Sequence, residues 1–302
     1  MKKHAVGVIG LGKMGKNIAM QLISKGYEVV AWNRSPAPLE EVVAHGARKA
    51  ATYKELVEKL GHPAVVWVML PAGEVTNDAV RELSDIMGKG DILIDGSNSE
   101  YTAAIWQNEV LSKKGIEFLD AGCSGGPSGA LHGMSIMVGG EEGTFRKMEQ
   151  LFKDVSVEDG YAYMGPSGSG HFVKMVHNAI EYGIMQSIAE GMDLLANGPY
   201  KELDLGSISH VWNHGSVIRG YLMELTERAL KKDPRLGSIK PYVDDTGEGR
   251  WASQTAIQFG VPFTTISHSL YERFSSRSEY RFNQRLLAAL RHEFGGHEVK
   301  KE

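Results

Sequence analysis

What this 302-residue chain lacks removes several classes of function at once. It holds one cysteine, Cys123, so no intramolecular disulfide can form, which fits a reducing compartment. It has no basic surplus: 33 Lys and Arg stand against 37 Asp and Glu, a formal net charge of -4. A protein that neutralises many phosphates usually carries the opposite balance, so nucleic acid is not an expected partner. No apolar run reaches membrane length, and the start, Met1-Lys2-Lys3-His4-Ala5-Val6, leads into a strand-like segment without a cleavage-site pattern. The expectation is a soluble cytoplasmic protein acting on small molecules.

What is present suits a two-domain enzyme. Hydrophobic residues make up 42% and charged residues 23%, ordinary globular values that allow a sizeable core. The length exceeds one average domain. Residues 5–9 form a short apolar strand, followed at once by Gly10-Leu11-Gly12-Lys13-Met14-Gly15 and a helical stretch to about Lys25. This is the dinucleotide fingerprint. Gly10 makes the tight turn, Gly12 lets backbone approach a pyrophosphate, and Gly15 lets helix pack on strand. A second strand, Glu28 to Trp32, follows at the spacing of a βαβ unit, and further strands at 64–70 and 91–95 extend a parallel sheet.

At the end of the second strand, where NAD-selective sites usually carry an acid, the chain reads Asn33-Arg34-Ser35. An amide, a guanidinium and a hydroxyl accept a 2′-phosphate, which favours NADP. If Arg34 is instead a simple loop cation, NAD binds through Asn33. Two more loops are expected at strand ends, Asp95-Gly96-Ser97-Asn98-Ser99 and Asp120 to Pro127. In the second, Ser124 and the backbone of Gly125 and Gly126 can bind a carboxylate or hydroxyls.

The second half is helical in pattern, with segments at 171–197, 210–232, 251–259, 262–273 and 278–292. On the first of these, Lys174, His177, Asn178, Glu181 and Tyr182 fall within an arc of roughly 140°. Phe172, Val176, Ala179, Ile180 and Gly183 take the other side, which is expected to pack. The polar side can do chemistry, because it offers a base, an acid and several hydrogen-bonding groups to one small molecule. A merely solvated face is usually richer in long charged side chains.

These pieces together resemble the β-hydroxyacid dehydrogenase superfamily. The resemblance runs in family order through the glycine fingerprint, the loop Asp120 to Gly126, the stretch holding Gly129, Gly133 and Gly139-Gly140, and Gly165-x-x-Gly168-x-Gly170-x-x-x-Lys174-x-x-x-Asn178. Within the superfamily, His177 with Glu181-Tyr182, and Asn98-Ser99 after Asp95, resemble the decarboxylating 6-phosphogluconate dehydrogenase family in its short form. Ser216-Val217-Ile218-Arg219 is similar to the family segment whose arginine binds the substrate phosphate. Arg291-His292-Glu293-Phe294-Gly295-Gly296-His297 is similar to the tail whose arginine and histidine enter the partner subunit's site. The segment Thr246 to Trp251 departs from the lysine-rich long-chain pattern, and its Glu248 would repel a phosphate if it pointed inward.

The resemblance implies a Rossmann-type parallel-sheet domain, 1–168, that binds the dinucleotide. It implies a following all-α domain, 169–302, that binds substrate, forms a homodimer and carries the exchanged tail. The implied reaction is oxidative decarboxylation of 6-phosphogluconate to ribulose 5-phosphate, in the pentose phosphate pathway, with no metal required. Lys174 is the expected base at the C3 hydroxyl, provided it binds substrate as a neutral amine, and then the acid at the C3 oxygen. Glu181 protonates C1, while Asn178 and His177 position the reacting atoms and Asn98 binds both substrate and cofactor. Ser124, Gly125 and Gly126 hold the carboxylate end; Tyr182, Arg219, Arg291 and His297 hold the phosphate. A dehydrogenase of the 3-hydroxyisobutyrate type shares Lys174, Asn178 and the Ser124 loop but binds no phosphate. A non-catalytic nicotinamide-binding module would be expected to have lost Lys174 or Glu181.

Overall fold

The computed structural model describes residues 5–279 and 281–300. It divides into two compact units, Met1–His177 and Asn178–Glu302. The first unit runs β1 (Ala5–Ile9), α1 (Lys13–Ser24), β2 (Glu28–Trp32), α2 (Pro36–Ala44), β3 (Arg48–Lys49), α3 (Tyr53–Leu60), β4 (Val65–Val68) and α4 (Glu74–Ile86). It continues with β5 (Ile92–Asp95), α5 (Tyr101–Ser112), β6 (Glu117–Ser124), α6 (Gly126–His132), β7 (Met134–Gly140), α7 (Glu142–Val155) and β8 (Ser156–Gly165). Helix α8 (Ser169–Asn197) contributes residues to both units. The second unit adds α9 (Leu205–Asn213), α10 (Tyr221–Lys232), α11 (Glu248–Gln258), α12 (Thr264–Arg277) and α13 (Phe282–Gly295). No helix among the described residues is long and apolar enough to cross a membrane.

The strands form one eight-stranded sheet in the order β3-β2-β1-β4-β5-β6-β7-β8. Pairing is parallel except between β6 and β7, so the sheet is a mostly parallel Rossmann-like one. The central strands are short apolar runs because helices cover both faces. Along β4, Val65 and Trp67 belong to one hydrophobic cluster and Val66 and Val68 to the other, as the alternation of strand side chains requires. Trp67 is fully buried and meets Phe152 of α7 edge-on at 5.9 Å.

Several expectations are corrected here. Asp120 to Ser124 is strand, not loop, because β6 continues past its parallel neighbour and pairs antiparallel with β7, Asp120 opposite Gly139 and Ser124 opposite Ser135. The single helix expected at 210–232 is two. Gly215 at φ +100° and Gly220 at φ +158° hold the backbone between α9 and α10 in conformations a helix cannot use. Along the stretch of α8 that carries the polar run, Met175, Ala179, Tyr182 and Gly183 are buried, whereas Phe172 and Ile180 are exposed. The packed arc is therefore turned toward the polar side, because Tyr182 buries its ring.

The start of α8 is fixed by Asp120, whose carboxylate is wholly buried. Its two oxygens accept the backbone N–H groups of Gly168 at 2.7 Å and His171 at 2.8 Å. An ionised acceptor at this place satisfies helix-terminal donors and complements the positive end of the helix dipole. Helix and sheet approach closely there: a Cβ on Gly170 would stand 2.5 Å from the Asp120 carbonyl oxygen and 2.6 Å from that of Met137. Replacing Asp120→Ala would strand two buried N–H groups, so denaturant unfolding should show a loss of about 2–4 kcal/mol. A loss below about 1 kcal/mol would mean that the carboxylate does not hold the helix.

Candidate active site

The loop after β1 has the shape that a dinucleotide phosphate needs. Gly10 adopts φ +92°, and a Cβ there would lie 2.5 Å from the Met69 carbonyl oxygen. A Cβ on Gly15 would fall 2.0 Å from the Gly10 carbonyl oxygen, so only glycine lets α1 sit this close to the turn. A Cβ on Gly12 would point into open space. No side chain caps α1 and no acid occupies its first turn, which leaves that helix N-terminus suited to an anion. Leu11 is buried, Lys13 exposed and Met14 half-buried. The residues fit a nicotinamide dinucleotide.

The end of β2 closes the same loop. The Asn33 amide oxygen accepts the Leu11 backbone N–H at 2.9 Å, and its Nδ2 donates to the Ser35 carbonyl at 2.9 Å. Asn33 therefore shapes the turn, while Arg34 and Ser35 are exposed beside it. The Lys16 ammonium on α1 pairs with Glu41 at 2.9 Å.

Lys174 lies over strand β6. A Cβ on Gly122 would come within 2.4 Å of the Lys174 Cβ, so the bare strand backbone is what admits the lysine. Its Nζ is 3.5 Å from His177 Nδ1, and His177 Nε2 is 3.2 Å from the Ser124 hydroxyl. One imidazole thus bridges the amine and the serine expected to hold carboxylate. With Lys174 donating to Nδ1, the Nε2–H donates to Ser124. Gly125 and Gly126 follow at φ +119° and +59° and open α6. Desolvation pushes the neighbouring Cys123 thiol up to about 12, outweighing the Lys174 charge.

Beyond β5, Asp95 is buried and its Oδ1 accepts from the backbone N–H and the hydroxyl of Ser97. Ser97 and Ser99 hydroxyls meet at 2.6 Å, which leaves Asn98 as the exposed member of this turn. His171 Nε2 reaches the Asp95 carbonyl at 3.2 Å. The sequence reading did not assign His171 or Asp120 a part in placing Lys174. Their signal was only their position before the Lys174 motif.

In the second unit, Asn178 Nδ2 donates to Glu248 Oε1 at 3.2 Å, and the Thr246 hydroxyl donates to Glu248 Oε2. Glu248 is buried and directed at Asn178, a pairing of residues far apart in sequence that no local pattern announced. Tyr182 is buried as well. Its hydroxyl accepts the Thr246 backbone N–H at 3.4 Å, and the Arg273 guanidinium lies 3.5 Å from its ring centroid. Arg273 too was missed. Arg250 is committed to Asp245, at 2.9 Å, which also takes Arg277 at 2.8 Å. These arginines hold the Asp245 carboxyl below the usual carboxylate range against the opposing effect of burial. Glu181 is half-buried on α8.

The remaining predicted residues stand on separate elements of this unit. Arg219 is exposed in the segment between α9 and α10 and donates to the Ser216 carbonyl at 3.3 Å. Arg291 is exposed on α13, and His297 follows that helix, its carbonyl 2.9 Å from His292 Nδ1.

The family models match both parts of the chain. Residues 5–165 match the NAD binding domain of 6-phosphogluconate dehydrogenase, and residues 170–301 match the C-terminal domain of that enzyme. The chain belongs to the 6-phosphogluconate dehydrogenase family. It is 40% identical over 299 residues to the NAD(+)-dependent, decarboxylating 6-phosphogluconate dehydrogenase of Haloferax volcanii, covering 98% of this chain and 99% of that protein. It is 38% identical over 291 residues to the decarboxylating enzyme of Salmonella typhimurium, of which the match spans 62%. Among solved structures it resembles Plasmodium falciparum 6-phosphogluconate dehydrogenase, with a TM-score of 0.83 and 29% identity, covering 99% of this chain and 66% of that one. The family is thus represented both at this chain's length and in longer forms.

The contact between Gly122 and Lys174 gives a direct test. With Lys174 as the expected base, Gly122→Ala should lower kcat by about 100-fold, since a shift near 1 Å at a reacting group costs that much. Dinucleotide affinity, measured by fluorescence titration, should stay within about two-fold. An unchanged kcat would mean that the Lys174 position does not matter.

Proposed function

We propose that the chain catalyses oxidative decarboxylation of 6-phosphogluconate to ribulose 5-phosphate and CO₂, with Lys174 as the base. The observation that carries this reading is the run Lys174, His177 and Ser124, joined at 3.5 and 3.2 Å over β6, with Asn178 and Glu181 next on α8. Lys174 takes the C3 hydroxyl proton as C3 is oxidised. The nicotinamide of a bound dinucleotide supplies the two-electron acceptor. The 3-keto acid loses CO₂ because its carbonyl receives the electrons, and Lys174 returns a proton to that oxygen. Glu181, about two helical turns from Lys174, delivers the proton to C1 of the enediol. His177 and Asn178 position the reacting groups; Ser124, Gly125 and Gly126 receive the carboxylate. Asn98 serves both substrate and cofactor.

Residues 1–168 act as the cofactor part and 169–302 as the substrate and dimerisation part. NADP⁺ is the preferred acceptor, because the end of β2 carries exposed Arg34 and Ser35 and no acid. The phosphate falls to Tyr182 and Arg219 with Arg291 and His297 of a second copy of this chain. The support for that exchange lies on α13, where Phe282, Leu286 and Leu290 are exposed at successive helical turns on the element that carries Arg291. An apolar stripe of this kind gains by docking on another surface. A 3-hydroxyisobutyrate-type substrate would give Arg219, Arg291 and His297 nothing to bind.

Purified protein given 6-phosphogluconate should reduce NADP⁺ with matching release of CO₂, and more efficiently than NAD⁺ by kcat/KM. Lys174→Ala should abolish nearly all turnover while dinucleotide binding persists. Reduction without CO₂, or a normal rate in that variant, would overturn the assignment. Arg291→Ala should raise the KM for 6-phosphogluconate by at least about ten-fold, as loss of a charge-assisted phosphate contact does, and leave the cofactor KM unchanged. Equal changes in both would remove the tail from the substrate site.

A further inference from the structure

Helices α9 and α10 bring together metal-ligating side chains that the proposed reaction does not use. His210 and His214 stand one turn apart at the C-terminal end of α9 and are exposed, while Glu227 of α10 is buried. A ring nitrogen of each histidine and a carboxylate oxygen of Glu227 lie within 4.8 Å of one another. The two imidazoles face each other with centroids 4.2 Å apart.

Both rings are already oriented through Nδ1. His214 Nδ1 is 2.7 Å from the His210 carbonyl oxygen, and His210 Nδ1 is 2.8 Å from Glu227 Oε1. A carbonyl only accepts, so the His214 proton is on Nδ1 and its Nε2 carries a lone pair. Metal-ligating histidines are ordinarily held as His214 is, by an acceptor on the second nitrogen. At His210 it is Nδ1 itself that stands beside Glu227, so that nitrogen and the carboxylate share the ion and the Nδ1 proton is released on binding. Lys231 Nζ, 2.5 Å from Glu227 Oε1, is the cation that balances the carboxylate in this arrangement. The packing beneath, Leu205 on α9 against Met223 and Leu230 on α10, keeps the two helices in place independently of these polar groups.

We propose that His210, His214 and Glu227 form a binding site for a divalent d-block cation of the zinc type, which ties α9 to α10. Two imidazoles and a carboxylate are the donor set that Zn²⁺ prefers, with water completing a tetrahedron. Hard cations such as Mg²⁺ select oxygen ligands and are excluded. Ligand atoms of a tetrahedral zinc ion stand about 3.4 Å apart, so the side chains close by roughly 1 Å on binding. Glu227 exchanges its contact with Lys231 for the metal.

Isothermal titration of the full-length, chelator-treated protein with ZnCl₂ tests this. Wild type should bind one Zn²⁺ per chain, and MgCl₂ should give no binding heat. His210→Ala and His214→Ala, at exposed positions, should each weaken the site by at least about ten-fold, with unchanged circular dichroism. Glu227→Gln should weaken it as well, whereas Lys231→Gln should tighten it by removing the competing ammonium. No zinc binding at 100-fold molar excess would overturn the proposal. So would unchanged isotherms in the histidine variants, which would place the ion elsewhere among the 11 histidines of the chain.

Discussion

One buried carboxylate governs the reacting face of the first unit. Asp120 sits in the middle of β6 and takes the N–H groups of Gly168 and His171 at the start of α8. A strand residue therefore sets where a helix begins and which way it turns. Because helical side chains recur at about 100°, fixing the first turn fixes the direction of Lys174 a few residues on. The glycines complete the constraint. Gly139 and Gly170 let helix and strands meet at backbone distance, and Gly122 leaves the space that Lys174 fills. Side chains at these positions would lift the helix from the sheet, and the lysine with it.

How much of this was legible depended on whether the signal was local. Strands β1, β2 and β5 are short apolar runs bounded by glycine or polar residues, so their placement followed from composition. Helix α8 is long enough for its period to be counted. Strand β6 was hidden, because Asp120, Gly122, Cys123 and Ser124 have the composition of a loop and become strand through pairing with β7. The break between α9 and α10 was hidden for the converse reason: apolar residues continue across it, and two glycines alone mark the turn. The face of α8 departs from its sequence pattern at Tyr182, polar by its hydroxyl but buried by its ring.

The site divides in the same way. The glycine loop after β1 and the spacing of Lys174, His177 and Asn178 along one helix could be read directly. Glu248 as the partner of Asn178, and Arg273 over Tyr182, could not. Each joins elements separated by some 70 residues or more, and an isolated glutamate or arginine has no spacing to betray its partner.

The second unit shows how a chain can keep acids folded away from solvent. Glu248 would oppose a phosphate if its charge faced outward. Instead it is buried, receiving the Asn178 amide and the Thr246 hydroxyl. Asp245 is neutralised by Arg250 and Arg277 together. A buried carboxylate between two guanidiniums is a local structure, and removing either arginine would leave it undercompensated. These charges are spent on shaping the segment from Asp244 to Arg250 around Tyr182, where Arg273 also binds the Asp244 carbonyl. The arginines of this segment therefore serve architecture. Arg219 and Arg291 differ, being exposed on elements of their own, and Arg219 donates to the Ser216 main-chain carbonyl. Electrostatics thus separates the cations that build the loop from Arg219 and Arg291, which face solvent.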